Sequence, residues 1–263
     1  MSGLRRKIMS EKYVEVEYTP PIATIILSRP DVLNAYNEEL LDQLEKTEIK
    51  LFDDEKIKVV IITGKGEKSF SVGADIELLE KLDDKQAERI AKKGKRICDL
   101  IEETEKVVIA AVNGYALGGG MEITLACDLR LANTRARFGQ PEVSLGLIPG
   151  FSGTQRLPRI LGIGRAKELL FTGNIIDAEE AFEIGLVNKL VTPRDLLKET
   201  KRMAKRITDQ SSRAVGKIKQ AINYGYIHGR EKGKEFETNS FKESFNNEDH
   251  MKRIKKMKDK LNK

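Results

Sequence analysis

Three consecutive glycines, Gly118–Gly120, stand immediately ahead of the apolar segment Met121-Glu-Ile-Thr-Leu-Ala-Cys127, and 10 of the chain's 21 glycines lie between Gly114 and Gly164. A helix that opens on residues without Cβ atoms lets a ligand approach its backbone. It also offers unpaired N–H groups and a partial positive charge. Such an end suits an anion or a developing oxyanion, and its alternative use is close backbone packing at a tight turn. Glu122 falls in the first turn of that helix, and Glu142 follows Pro141 in the glycine- and proline-rich stretch 138–150. Singly, a first-turn glutamate serves the helix dipole and a loop glutamate is solvated. Together in apolar surroundings, two carboxyl groups can hold one water and divide acid and base roles through separated pKa values. A second glycine-relieved loop, Ser71-Val-Gly-Ala-Asp-Ile76, follows an earlier strand and adds further N–H groups, with Asp75 suited to capping the next helix.

Other chemistries are poorly served. His228 and His250 are the only histidines, neither lies in a metal-ligand pattern, and no metal site is expected. Gly150-Phe-Ser-Gly153 is one residue short of a nucleophile elbow, and no histidine has a place beside Ser152. Gly64-Lys-Gly66 lacks phosphate-loop spacing, and Gly162-Ile-Gly164 lacks the third glycine of a dinucleotide fingerprint. The two cysteines, Cys98 and Cys127, form neither a disulfide framework nor a CxxC pair, which with the absence of a secretory signal points to a reducing, cytoplasmic setting.

The residues that carry this chemistry need a scaffold. At 263 residues, with 40% hydrophobic and 33% charged side chains, the chain suits one large soluble domain or a domain with an appendage. Its longest apolar run is the six residues Val107–Val112, far short of the twenty or so that a membrane span needs. Strands are expected at 22–27, 57–62, 107–112 and 128–132, with a helix capped by Asn37 after the first. Helices are expected at 165–171, 178–184, 194–208 and 212–225, then in a last stretch to Lys263. Strand, glycine loop and helix recur at 57–82 and 107–127, the mark of stacked turns in an α/β fold. Seven basic side chains against Asp259 alone place the whole net charge of +6 in residues 251–263. A solvated face, a contact with an anionic ligand, and binding of RNA or DNA all fit that tail, the nucleic acid least well.

Five segments in order then carry a likeness. Ser69-Phe-Ser-Val-Gly-Ala-Asp-Ile76, Ala110 to Glu122 (AAVNGYALGGGME), Phe138-Gly-Gln-Pro-Glu-Val143, Ile148 to Leu157 (IPGFSGTQRL) and Ala178 to Val187 resemble the core motifs of the enoyl-CoA hydratase/isomerase (crotonase) superfamily, especially its short-chain hydratases. The resemblance implies an α/β spiral of ββα turns over 1–195. It also implies a helical C-terminal region, 196–263, that mediates homotrimers, usually paired into hexamers. It assigns the catalytic carboxylates to Glu122 and Glu142 and the oxyanion hole to the N–H groups of Ala74 and Gly119. Val72, Ala74 and Glu77 would lie along the adenine end of coenzyme A and the segment around Val32 along the pantetheine entrance, with Asp75, Ile76 and Gly150 completing the substrate contacts. The implied reaction is reversible hydration of a short-chain trans-2-enoyl-CoA thioester, with no cofactor beyond the coenzyme A of the substrate. An enoyl-CoA isomerase and an RNA-binding hydratase homologue are the alternatives. Three departures stand out: Ser152 where glycine is frequent, Glu77 where lysine is frequent, and a lysine-rich final helix, which leaves the C-terminal coenzyme contact, Lys260 included, open.

Overall fold

A computed structural model describes residues 7–246 and 248–261. Strands β1 (Lys7–Ser10), β2 (Val14–Thr19) and β3 (Ile22–Leu27) form an antiparallel meander. Helix α1 (Glu38–Asp53) then crosses back to β4 (Val59–Gly64), which runs parallel to β3. As expected, Asn37 caps α1: its side chain accepts from the Leu40 N–H at 2.8 Å. From β4 onward each turn of chain delivers a long strand to one sheet and a short strand to another. β5 (Ser69–Ser71) follows β4, and helices α2 (Ile76–Leu79) and α3 (Asp84–Glu103) close that turn. β6 (Val107–Val112), β7 (Tyr115–Leu117) and α4 (Gly119–Ala126) form the next.

β8 (Leu129–Asn133) and β9 (Arg137–Gly139) follow, then α5 (Gly153–Leu161), α6 (Ile163–Thr172), β10 (Ile175–Asp177), α7 (Ala178–Glu183) and β11 (Lys189–Val191). The large sheet has the order β1-β2-β3-β4-β6-β8-β11 and the small one β10-β9-β7-β5. This is the spiral of ββα turns. Beyond it the chain is helical: α8 (Leu196–Thr208), α9 (Ser212–His228), α10 (Arg230–Ser244) and α11 (Glu248–Leu261).

β4 and β6 are buried along their whole length because both faces are covered. Val60, Ile62, Val108, Ala110 and Val112 face the main core, together with Leu40, Leu41 and Leu44 of α1 and Ile97 and Ile101 of α3. The alternate residues Val59, Ile61, Val107, Ile109 and Ala111 meet Leu196 and Ala204 of α8. The corners between the two sheets are stitched by buried asparagines. Asn113 Nδ2 donates to the carbonyls of Gly64, Gly66 and Ser69, and Asn133 Nδ2 donates to the Asn113 carbonyl in the following turn. Lys219 of α9, 6% exposed, donates to the Ile101 and Lys106 carbonyls and to Asp128, which fastens the helical third to the core.

Several expected boundaries move. The second expected strand starts at Val59 rather than residue 57, because the Lys58 and Val59 N–H groups both donate to the Pro21 carbonyl and that sets the register with β3. Residues 193–195 form a 3-10 turn ahead of α8, and the final helical stretch breaks after Ser244. The three-residue strands of the small sheet give no period-2 pattern and escape sequence reading.

Glu48 is an oddity of this core. It is fully buried on α1, and neither carboxylate oxygen has a hydrogen-bond partner among the described residues. Burial, reinforced by Glu45 and opposed by Arg96, holds its pKa well above the ordinary value, and the buried thiols of Cys98 and Cys127 also sense its charge. The folded protein therefore keeps the proton that the unfolded chain releases, and stability is lost as pH rises from the ordinary glutamate range toward the folded pKa. Replacing Glu48 by Leu is expected to stabilise the fold more at pH 8 than at pH 5, the gap between variant and parent growing by up to about 1.4 kcal/mol per pH unit. Urea unfolding at the two pH values checks this; equal effects would contradict a buried neutral acid.

Candidate active site

The small sheet exists to bring two backbone segments together. Gly73 has φ +87°, and a Cβ there would lie 3.0 Å from both the Gly119 nitrogen and the Leu117 carbonyl, so the loop after β5 touches the start of α4 backbone to backbone. The same loop is tied on its other side to Tyr36, whose N–H donates to Gly73 O at 2.7 Å and whose carbonyl accepts from Asp75 N–H at 2.9 Å. That parallel bridge leaves the intervening Ala74 N–H unused, and Gly119 N–H stands at the open end of its helix. Neither donates to any acceptor among the described residues.

Glu122 is 1% exposed, one turn into α4. Its Oε1 accepts from the N–H groups of Phe151 at 2.8 Å and Gly153 at 2.6 Å, while Oε2 makes no hydrogen bond among the described residues. Burial raises its pKa to about 7; the Glu142 charge adds to that, and the two amides and Arg156 pull against it. Glu142 sits in a 3-10 turn, Pro141–Leu145, rather than in an irregular loop. Its Oε1 lies 3.1 Å from the place a Gly118 Cβ would take, so its carboxylate rests on the same glycine run. Burial raises its pKa as well. Gln140, 1% exposed, brings the end of its amide to 2.9 and 3.1 Å from the Glu142 oxygens, where an amide nitrogen donates to the carboxylate and an amide oxygen accepts from the protonated acid. The two acids, Gly119 and Ala74 thus gather around one helix N-terminus.

The residues expected at the substrate entrance divide. Val32 (41% exposed), at the end of a 3-10 turn, and Val72, Ile76 (69% exposed) and Glu77, on the loop after β5 and the start of α2, belong to two segments held together by an Arg29–Asp75 ion pair at 3.0 Å. The Asp75 carboxylate pairs with Arg29 and caps α2 through Glu77 N–H at 3.2 Å, the capping use expected of it. Gly150 is exposed at the start of the loop that grips Glu122. Ser152 adopts the left-handed region at φ +74°, the conformation that makes glycine frequent there. His228 and His250 pack against the rings of Tyr224 and Phe245. A cavity of about 1300 Å³ opens at the other end of α4, beside Cys127 and α9, and neither carboxylate borders it.

Sequence reading missed Phe151 as a part of the site. Its ring lies between two helices: a Cβ on Gly94 of α3 would come within 2.0 Å of it, and one on Gly119 within 3.0 Å. It also stacks on Tyr36 with centroids 6.3 Å apart. A bare helical glycine such as Gly94 was the available signal, since only close approach justifies it in mid-helix.

The chain matches the enoyl-CoA hydratase/isomerase family over residues 17–263. It belongs to that family. It is 44% identical to the crotonyl-CoA hydratase of Syntrophomonas wolfei over 233 residues, 89% of this chain and 90% of the relative. It is also 44% identical to the short-chain-enoyl-CoA hydratase of Clostridium acetobutylicum, over 90% of each chain. Among solved structures, the enoyl-CoA hydratase from Bacillus anthracis superposes with a TM-score of 0.92 at 36% identity, covering 95% of this chain and 97% of that one. The family membership and the spiral fold expected from the five motifs are therefore established.

Replacing a mid-helix glycine by alanine ordinarily stabilises a helix by about 1 kcal/mol. At Gly94 the sign should reverse, with Gly94→Ala costing about 1–3 kcal/mol because the methyl group displaces the Phe151 ring. Equilibrium unfolding measures it, and a gain in stability would show that the ring does not occupy that seat.

Proposed function

We propose that this protein reversibly hydrates a short-chain trans-2-enoyl-CoA to the 3-hydroxyacyl-CoA. The observation that carries the reading is the placement of a buried and a half-buried carboxyl group beside two N–H donors, unpaired among the described residues, at the start of α4. The names of the two relatives at 44% identity support the short acyl chain.

In this reading the thioester oxygen accepts from the N–H groups of Ala74 and Gly119. Attack of water at Cβ moves the π electrons toward that oxygen, and the preorganised donors stabilise the charge that builds there. One such donor contributes about 3–4 kcal/mol to the barrier. The free Oε2 of Glu122 holds and polarises the water and takes its proton, while Glu142 delivers a proton to Cα. The oxygen–Cβ bond forms as the double bond is lost, and a single proton passes back between the acids to reset the site. The scheme requires one proton on the pair. Burial raises the pKa of both acids, which favours keeping that proton on the pair. The presence of both acids favours hydratase over isomerase, since moving a double bond needs only one of them.

No cofactor is used other than the coenzyme A borne by the substrate, with Val32, Val72, Ile76, Glu77 and Gly150 at its entrance. Residues 1–195 form the catalytic unit and 196–263 the association region of a homotrimer or hexamer. Large apolar side chains left exposed at Ile218, Ile222, Phe241 and Phe245 support that assembly. Buried free cysteines fit a cytoplasmic setting, and no helix among the described residues is long and apolar enough to cross a membrane.

Glu122→Gln and Glu142→Gln should each lower crotonyl-CoA hydration by about 100- to 10,000-fold while the protein stays folded. Loss of absorbance by the conjugated thioester reads the rate, and near-normal turnover in either variant would remove the two-acid scheme. Because the singly protonated pair is the active form, kcat/KM should be bell-shaped, falling on the alkaline side from about pH 7, to which burial raises the Glu122 pKa. A profile flat from pH 5 to 9 is incompatible with it.

A further inference from the structure

Arg156 of α5 is 4% exposed, and its guanidinium is spread over two elements. Nη1 donates to the Phe151 carbonyl at 2.6 Å, and Nη2 donates to Asp99 at 2.9 Å and Glu102 at 2.7 Å, both on α3. The Phe151 carbonyl belongs to the middle one of three successive peptide groups. The first, through Phe151 N–H, and the third, through Gly153 N–H, both hold Glu122 Oε1. Ser152, between them in the left-handed region, turns the two N–H groups to one side and sends the carbonyl to the other. Acid, loop and guanidinium thus form a single relay: α3 carboxylates, Arg156, the 151–153 backbone, Glu122.

We propose that Arg156 is a positioning residue for Glu122: by anchoring the Phe151 carbonyl to α3 it fixes both amides that clamp Oε1, which leaves Oε2 as the oxygen presented to the reacting water. This rests on the hydratase reading for the consequence in turnover but not for the clamp itself. A planar fork is needed because one donor must reach a carbonyl while others reach two carboxylates, a geometry that a lysine ammonium cannot reproduce. The relay also carries a charge effect. Arg156 is among the groups that draw the Glu122 pKa down, and the two amides it steadies do the same.

The test uses the full-length protein, its Arg156→Lys variant, and the paired variant Asp99→Asn with Glu102→Gln, which keeps Arg156 but releases its anchor. Carbon-13 NMR of glutamate-labelled protein, with the Glu122 signal assigned by its loss in Glu122→Gln, follows the titration of that carboxyl without reference to activity. The expected result is an upward displacement of the Glu122 midpoint in both variants. Crotonyl-CoA hydration should fall about 10- to 100-fold in kcat with KM within about threefold, since displacement of a reacting group by an ångström costs on that order. If Arg156→Lys does not fold, the paired variant gives the same two readouts. A Glu122 midpoint unchanged in a folded variant overturns the proposal, as does a fall confined to KM. If the parent protein shows no hydration at all, the functional reading fails separately, and the NMR midpoint still decides whether Arg156 sets the clamp.

Discussion

A carboxylate removed from water must be compensated locally or it takes up a proton, and everything at this site follows from how Glu122 meets that constraint. Two backbone N–H groups grip one of its oxygens, so the acid is half satisfied. Its other oxygen is left free, and its pKa stands near neutrality instead of in the ordinary acid range. Full compensation would fix it as an inert anion, and none would leave it permanently neutral like Glu48. The intermediate state is what allows a second acid nearby to share its proton. Glu142, with the Gln140 amide against it and the glycine run beneath it, is placed to do so.

The spiral supplies the geometry. Each turn hands one strand to each sheet, and the small sheet lays β5, β7 and β9 side by side in parallel, with a shift of register in β5 between Ser69 and Ser71. The loop after β5 then meets the helix after β7, while the turn after β9 carries Glu142. Asparagines at the corners hold the stack by satisfying several main-chain groups each, which a hydrophobic residue there would strand. Neighbouring loops from different turns thereby act as one rigid surface, a condition for donors that must be aimed before the reaction begins.

The long strands β3 and β6, the Asn37 cap and the helix after the triglycine were legible because each has a strong local signal: β-branched runs, a capping side chain, missing Cβ atoms. The glycine-rich settings of Glu122 and Glu142 allowed the two to be paired as acid and base, but only the family likeness assigned them the role, since they stand twenty residues apart in unrelated local patterns. The small sheet stayed hidden because three-residue strands have no periodicity to detect. Phe151 and Arg156 stayed hidden because an aromatic residue in a glycine loop and an arginine in a helix are ordinary alone. Asp75 shows the opposite outcome, a motif residue whose side chain is spent on its own backbone and on Arg29.

Within α9 only Gly216 and Lys219 are buried, and polar contacts do much of the fastening to the spiral: the Lys219 ammonium among two carbonyls and a carboxylate and Asn223 Nδ2 on the Glu102 carbonyl, with Val215 at the edge of the second core. Contacts of this kind hold the helix at a few points along its length. Tyr224 turns instead to Phe236 of α10, and Ile218, Ile222 and Ile227, all exposed, take little part in seating the helix on the spiral.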